Sequence, residues 1–168
     1  MDADILQELY TRYYSRALLY TLSLCGDEEL AKDLTAEAFV KAYLTLPEET
    51  PSFPFWLLRV CRNLWLDHAR KHSRLTSLEE AGEPVCRETP ESVYLKQERS
   101  RCLWRAVGKL PAPDREILTL HYFSGLPLQQ VASLVGLNYG AVRQRLSRLR
   151  RTLRQEMEEQ GYDISGII

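Results

Sequence analysis

The 168-residue sequence contains no run of about 18 uncharged apolar residues, the length a helix needs to cross a bilayer. Its start carries Asp2, Asp4 and Glu8 where a secretory signal would be positively charged. These two absences exclude membrane insertion and export, so a soluble, cytoplasmic protein is expected. The four cysteines, Cys25, Cys61, Cys86 and Cys102, include no C-x-x-C pair, and a chain of this length needs no stapling, so free thiols are expected. Cys61 and Cys102 fall on apolar helical stripes as small core residues, which leaves Cys86 as the exposed thiol. There is no phosphate-binding glycine loop, no G-x-S-x-G elbow and no dinucleotide fingerprint, and no strand-like alternation of useful length. Glu79 and Glu80 stand in a flexible stretch that cannot hold an acid–base geometry. No enzyme and no cofactor is implied. Net charge is nearly absent as well: 22 basic against 23 acidic side chains leave −1.

What is present is an ordinary globular composition, 45% hydrophobic and 27% charged, which excludes general disorder. Against a domain scale of about 150 residues the length fits one or two small domains and no large catalytic barrel. Charge is unevenly placed. Residues 1–74 hold 9 basic and 11 acidic side chains, 75–98 hold 2 and 6, and 99–168 hold 11 and 6. Arg143, Arg145, Arg148, Arg150, Arg151 and Arg154 crowd into fourteen residues without an acid, and the stretch from Arg59 to Arg74 has five basic residues against Asp67 alone. Phosphate attraction acts over roughly a Debye length of 8 Å, so these local stripes, not the whole-chain sum, decide the partner.

Helical periodicity runs through the chain. Leu6, Leu9, Tyr10, Tyr13, Ala17, Leu18, Thr21 and Leu22 predict a first helix ending near Gly26. Asp27 caps a second, in which Leu30, Leu34, Ala38 and Phe39 alternate with Glu29, Lys32, Asp33, Glu37 and Lys41. Pro47, Pro51 and Pro54 make a loop before a third helix from about Phe55 to Arg74. On its wheel Leu57, Val60, Cys61, Leu64 and His68 share one side, and Trp56, Arg59, Asn63, Asp67, Arg70 and Arg74 the other. Arginines, an amide, a carboxylate and an exposed indole suit phosphate binding, base-edge reading and stacking together. A solvated face with one stray Trp gives the same pattern, and this helix alone leaves both readings open. His68 and His72 are four apart, but no acidic third ligand has matching spacing, so no metal is expected. Residues 75–91, with Gly82, Pro84, Pro90 and five glutamates, read as a flexible acidic linker. At 3.3–3.6 Å per residue it spans at most roughly 55–60 Å, about one and a half turns of duplex.

Beyond the linker, helices are expected over Tyr94–Leu110, Arg115–Phe123, Leu128–Val135 and from Tyr139 to about Glu158. The fold class is therefore all-α: two small helical domains, 1–74 and 92–160, joined by the linker 75–91. Ala132, Gly136 and Val142 have helix-turn-helix spacing: a small residue for close packing, a glycine for the left-handed turn, and an apolar anchor on the second helix. Val142, Leu146, Leu149 and Leu153 form that helix's apolar stripe, with Gln144, Ser147, Arg148 and Arg151 opposite and Arg143 flanking. Groove insertion would turn Arg143, Gln144, Ser147 and Arg148 toward base edges and Arg150, Arg151 and Arg154 toward phosphates. A coiled-coil or RNA-binding helix is the competing reading of this segment.

Taken together, three collinear stretches resemble the extracytoplasmic-function group of the sigma-70 family. ELAKDLTAEAFVKAY stands in place of that group's core-binding pattern, with Lys32 and Ala36 replacing an acid and a glutamine. FWLLRVCRNLWLDHARKHSR resembles its promoter helix, with Trp56, Leu57, Asn63, Asp67 and Arg70 in register. The stretch from Lys109 to Leu153 resembles its C-terminal domain. The resemblance covers about Leu9 to Glu156. It implies a transcription initiation factor that works bound to core RNA polymerase, with Asp33, Glu37 and Phe39 as polymerase contacts, although Phe39 has the spacing of a core residue too. The third helix would bind the promoter element near the start site as single strand, the 47–54 loop would hold an unstacked base, and the C-terminal helix would read the element farther upstream. An anti-sigma protein is a further partner that the resemblance implies. A stand-alone helix-turn-helix regulator, with the N-terminal half a dimerisation or sensor domain, is the alternative. The tail 161–168 lies outside the match and has no assigned role.

Overall fold

The computed structural model describes residues 3–46, 52–75 and 98–168. The linker, Cys86, Pro47, Pro51 and the start of the helix expected at Tyr94 lie outside the described residues. Seven α-helices and no strand are found among the described residues, and the chain divides into two units, Met1–Arg87 and Glu88–Ile168. No helix among them is long and apolar enough to cross a membrane.

Unit 1 packs α1 (Ala3–Cys25), α2 (Glu28–Thr45) and α3 (Phe53–Leu75) pairwise against one another. Asp27 caps α2 as its position predicts, its carboxylate accepting the Leu30 amide at 3.0 Å. Helix α3 starts two residues earlier than the prolines suggest. Pro54 sits in its first turn, where a missing N–H costs nothing, and Ser52 precedes it with its hydroxyl 3.5 Å from the Phe55 amide. The core is built from Ala17, Leu18, Tyr20 and Leu22 of α1, Leu34, Ala38, Phe39 and Ala42 of α2, and Leu57, Leu58, Cys61 and Leu64 of α3. Where the three helices meet, each contributes one fully buried polar side chain. The Thr21 hydroxyl donates to the Ala17 carbonyl at 2.8 Å, the Thr35 hydroxyl donates to Thr21 at 3.3 Å, and the Cys61 thiol is hydrogen-bonded to Thr21. Burial pushes the Cys61 thiol up to about 12, so it stays neutral and unreactive.

Unit 2 comprises α4 (Glu98–Gly108), α5 (Ala112–Leu118), α6 (Leu128–Val135) and α7 (Tyr139–Glu159). The single helix expected over Arg115–Phe123 is instead α5 continued by a π-helical turn over Thr119–Phe123, closed by the Ser124 amide on the Thr119 carbonyl at 2.9 Å. Helix α7 packs against α4, α5 and α6 through Val142, Leu146, Leu149, Leu153 and Met157. It stops at Gly161, whose φ is +82°, with the Tyr162 amide reaching back to Met157 at 2.9 Å. The tail then joins the unit. Ile164 and Ile168 are buried, and the Ile168 carbonyl accepts from the Arg154 guanidinium at 3.1 Å. The Cys102 thiol of α4 donates to Gln160 Oε1, just past the end of α7, at 2.6 Å. Residues 161–168 therefore complete the core of the C-terminal unit. Ile164→Ala is expected to destabilise this unit by about 2–5 kcal/mol, read as a lower urea midpoint in the full chain, and an unchanged midpoint would show the tail to be dispensable.

Candidate nucleic-acid interface

The α6–α7 turn fixes where the basic side chains point. Gly136 adopts φ +73°, a conformation costly for any residue with a Cβ, and its amide bonds to the Ala132 carbonyl. The Asn138 side chain then accepts the Ala141 amide at 2.8 Å and starts α7. Val142 is fully buried and Ala132 nearly so, which seats the second helix closely on the first. With the apolar stripe inside, Arg143, Gln144, Ser147, Arg148, Arg150 and Arg151 are all exposed. Two arginines of the cluster have other duties. Arg145 reaches Asp114 at 3.5 Å and ties α7 to α5. Arg154, expected among the phosphate-facing arginines, is half-buried and donates to the Ile168 carbonyl. The sequence could not show this, because the partner is a backbone atom of a segment with no periodicity.

On α3, Arg59, Asn63, Asp67 and Arg70 are exposed on one face, and Arg74 lies on the same helix near its end. Asp67 and Arg70 pair at 3.4 Å, an exposed contact worth under about 1 kcal/mol and easily exchanged for another partner. Trp56 is only half-buried instead of freely exposed, because its ring stacks on Phe53 with centroids 6.3 Å apart; Phe53 in turn meets Tyr13 at 5.5 Å. His68 and His72 stack on each other at 5.2 Å, and His68 also stacks on Trp65. No cluster of three metal-ligating side chains occurs among the described residues.

The α2 surface differs in kind. Asp33 and Glu37 are exposed, and Lys32 is clasped by Glu28 at 2.9 Å and Glu29 at 3.0 Å, so the lysine does not make this surface basic. Phe39 is a correction: it is 4% exposed and packs among Tyr10, Tyr14 and Phe53, so it belongs to the core and not to a partner surface. The apolar part of the surface comes instead from Val40, 56% exposed, and Leu44, 70% exposed. Spaced seven and eleven residues after Asp33, they share its face. Sequence reading missed them because apolar side chains on the solvent face of α2 blur its periodicity, so that Val40 and Leu44 do not stand apart from the core residues.

Two comparisons with known families bear on these surfaces. Residues 9–75 match the family model for sigma-70 region 2, and residues 100–153 match that for sigma-70 region 4. The chain belongs to the sigma-70 family. Region 2 thus coincides with the three-helix unit and region 4 with most of the helix-turn-helix unit. The probable RNA polymerase sigma factor RfaY of Xanthomonas campestris pv. campestris is 36% identical over 144 residues, covering 81% of this chain and 36% of the relative. The ECF RNA polymerase sigma factor SigE of Mycolicibacterium smegmatis is 30% identical over 152 residues, covering 88% of this chain and 59% of that protein. The chain therefore spans about a third of one relative and three-fifths of the other. Among solved structures, the sigma factor RpoE from Bartonella quintana, in complex with the anti-sigma factor NepR, shares the fold with a TM-score of 0.73 at 23% identity, covering 94% of this chain and 98% of that one. Helix α7 continues beyond the region 4 match, and the packed tail lies wholly outside it.

The assignment of Phe39 to the region 2 core has a direct consequence. Phe39→Ala is expected to destabilise region 2 by about 3–5 kcal/mol, whereas Leu44→Ala should change stability by no more than about 0.5 kcal/mol. Urea unfolding of both variants decides it, and equal effects would place Phe39 at the surface.

Proposed function

We propose that this protein is a sigma factor: it binds core RNA polymerase and gives it promoter choice, without catalysing a reaction itself. The observation that carries the reading is the presence, in family order, of two separately folded units that each expose a basic polar helix face, α3 in region 2 and α7 in region 4. On this reading α3 takes up the promoter element near the start site as single strand through Trp56, Arg59, Asn63, Asp67, Arg70 and Arg74. Helix α7 reads the upstream element as duplex through Arg143, Gln144, Ser147 and Arg148, with Arg150 and Arg151 on phosphates. The acidic and apolar face of α2, with Asp33, Glu37, Val40 and Leu44, docks on the polymerase. RpoE, which shares the fold, is bound by an anti-sigma factor, and we extend that kind of partner to this chain.

In vitro transcription with core polymerase on a randomised promoter library tests the reading. The chain should direct initiation from a selected two-part element while binding duplex only weakly alone; tight specific binding without polymerase would instead mark a stand-alone regulator. In the same assay Asn63→Ala should impair open-complex formation with polymerase binding intact, and Leu44→Glu should abolish polymerase binding.

The arginines of α7 separate by role. Arg148→Ala should reduce discrimination between the selected element and a scrambled one by about 1–3 kcal/mol. Arg151→Ala should weaken binding to both alike and lower the salt slope by about one. Arg154→Ala should leave the slope unchanged, since its guanidinium is held by Ile168. Equal slopes for the Arg151 and Arg154 variants would overturn that distinction.

A further inference from the structure

Two large apolar side chains of region 4 are exposed among the described residues: Leu137, 36% exposed, and Tyr139, 47% exposed. They flank the Asn138 cap at the start of α7. Leu137 is held by the turn itself, because its amide bonds to the Ala132 carbonyl at 3.1 Å and closes α6. Tyr139 is less firmly held. Among the described residues its ring has no aromatic neighbour and its hydroxyl no hydrogen bond. A bare aromatic ring at the first position of a helix adds nothing to the core, and an acid there would favour the helix dipole, yet the first turn of α7 contains none.

The position of Tyr139 gives the ring a purpose. It precedes Arg143 by four residues, Ser147 by eight and Arg150 by eleven, so at 3.6 residues per turn it extends that exposed stripe one turn toward the helix start. The next residue is Gly140. A Cβ there would meet only the Asn138 side-chain oxygen, at 3.5 Å, an ordinary contact, so the protein does not itself require a glycine. A polyanion is the partner that the arginines of this stripe attract, and the apolar feature on a major-groove edge is the C5-methyl of thymine.

We propose that Tyr139 packs its ring on a thymine C5-methyl of the upstream duplex, a specificity contact that adds an apolar readout to the arginine contacts of α7. The proposal rests on the promoter-binding reading above. Polymerase reconstituted with the full chain would be bound to its selected upstream element with each thymine replaced, one at a time, by deoxyuridine, which removes the methyl and leaves every hydrogen-bonding group. Wild type should lose about threefold to fivefold in affinity at one or two positions, the effect of exposing one methyl group. Tyr139→Ala should bind more weakly and be indifferent to deoxyuridine at those positions. Tyr139→Phe and Arg148→Ala should retain the deoxyuridine loss, the first because the ring is kept and the second because another residue is removed. A Tyr139→Ala variant that still loses affinity on deoxyuridine substitution would overturn the proposal. So would a wild type indifferent at every position, an element without thymine, or a Tyr139→Phe variant that behaves like alanine. Failure of the wild-type complex to select any upstream element would overturn the promoter-binding reading, and with it this contact.

Discussion

Five side chains on one helix, Val142, Leu146, Leu149, Leu153 and Met157, hold the C-terminal unit together, because α7 is the element that α4, α5 and α6 all pack against. Burial of side chains of this size contributes about 1.5–3 kcal/mol each, a total comparable with the whole net stability of a small domain, about 5–15 kcal/mol. The same stripe dictates the surface. With one face of the helix committed inward, the arginines between the stripe positions are forced outward and brought close together. Like charges three or four residues apart disfavour a helix by about 0.2–0.5 kcal/mol per pair. The packing overcomes that repulsion and holds the helix in a state that binding to phosphates would relieve.

Not every charge is left for a partner. Arg145 is joined to Asp114 and Arg154 to the Ile168 carbonyl, so two of the six arginines fasten α7 to α5 and to the tail. On α3 the Asp67–Arg70 pair, and on α2 the Glu28–Lys32–Glu29 cluster, are exposed contacts of small net worth that hold side chains in place without locking them. A cation's role is thus decided by what stands next to it in three dimensions, and its count along the sequence does not reveal it.

That distinction marks how far the sequence was legible. Features written in local rules were readable: the Asp27 cap, the left-handed Gly136, and the i, i+4, i+7 recurrence that places Val142, Leu146 and Leu149 inside. Phe39 was ambiguous because α2 also carries apolar side chains on its solvent side, Val40, Tyr43 and Leu44, and a helix with apolar residues on both faces loses the contrast that separates core from surface. Trp56 was read as free because Phe53, three residues earlier, seemed to belong to a proline loop; once Pro54 enters the first turn of α3, the two rings lie on one face. The tail was opaque for a different reason. Three isoleucines in eight residues are too few to establish a period, and the burial of Ile164 and Ile168 depends on a groove that exists only after the helices have assembled.

The near-zero net charge of the chain takes on meaning when divided this way. Beyond a Debye length of about 8 Å the charges are largely screened, and a sum of −1 adds no attraction for a polyanion. Within that distance another molecule meets either an arginine-rich face of region 4 or an acidic, partly apolar face of region 2 on which Leu44 stands 70% exposed. An exposed leucine beside carboxylates suits a protein partner, which can cover the leucine while its own cations meet the acids. A row of arginines suits phosphates. On the proposed reading the chain has weak attraction for DNA at long range and strong complementarity at contact, and this favours a sequence in which the protein partner is engaged first and brings the arginines to the duplex.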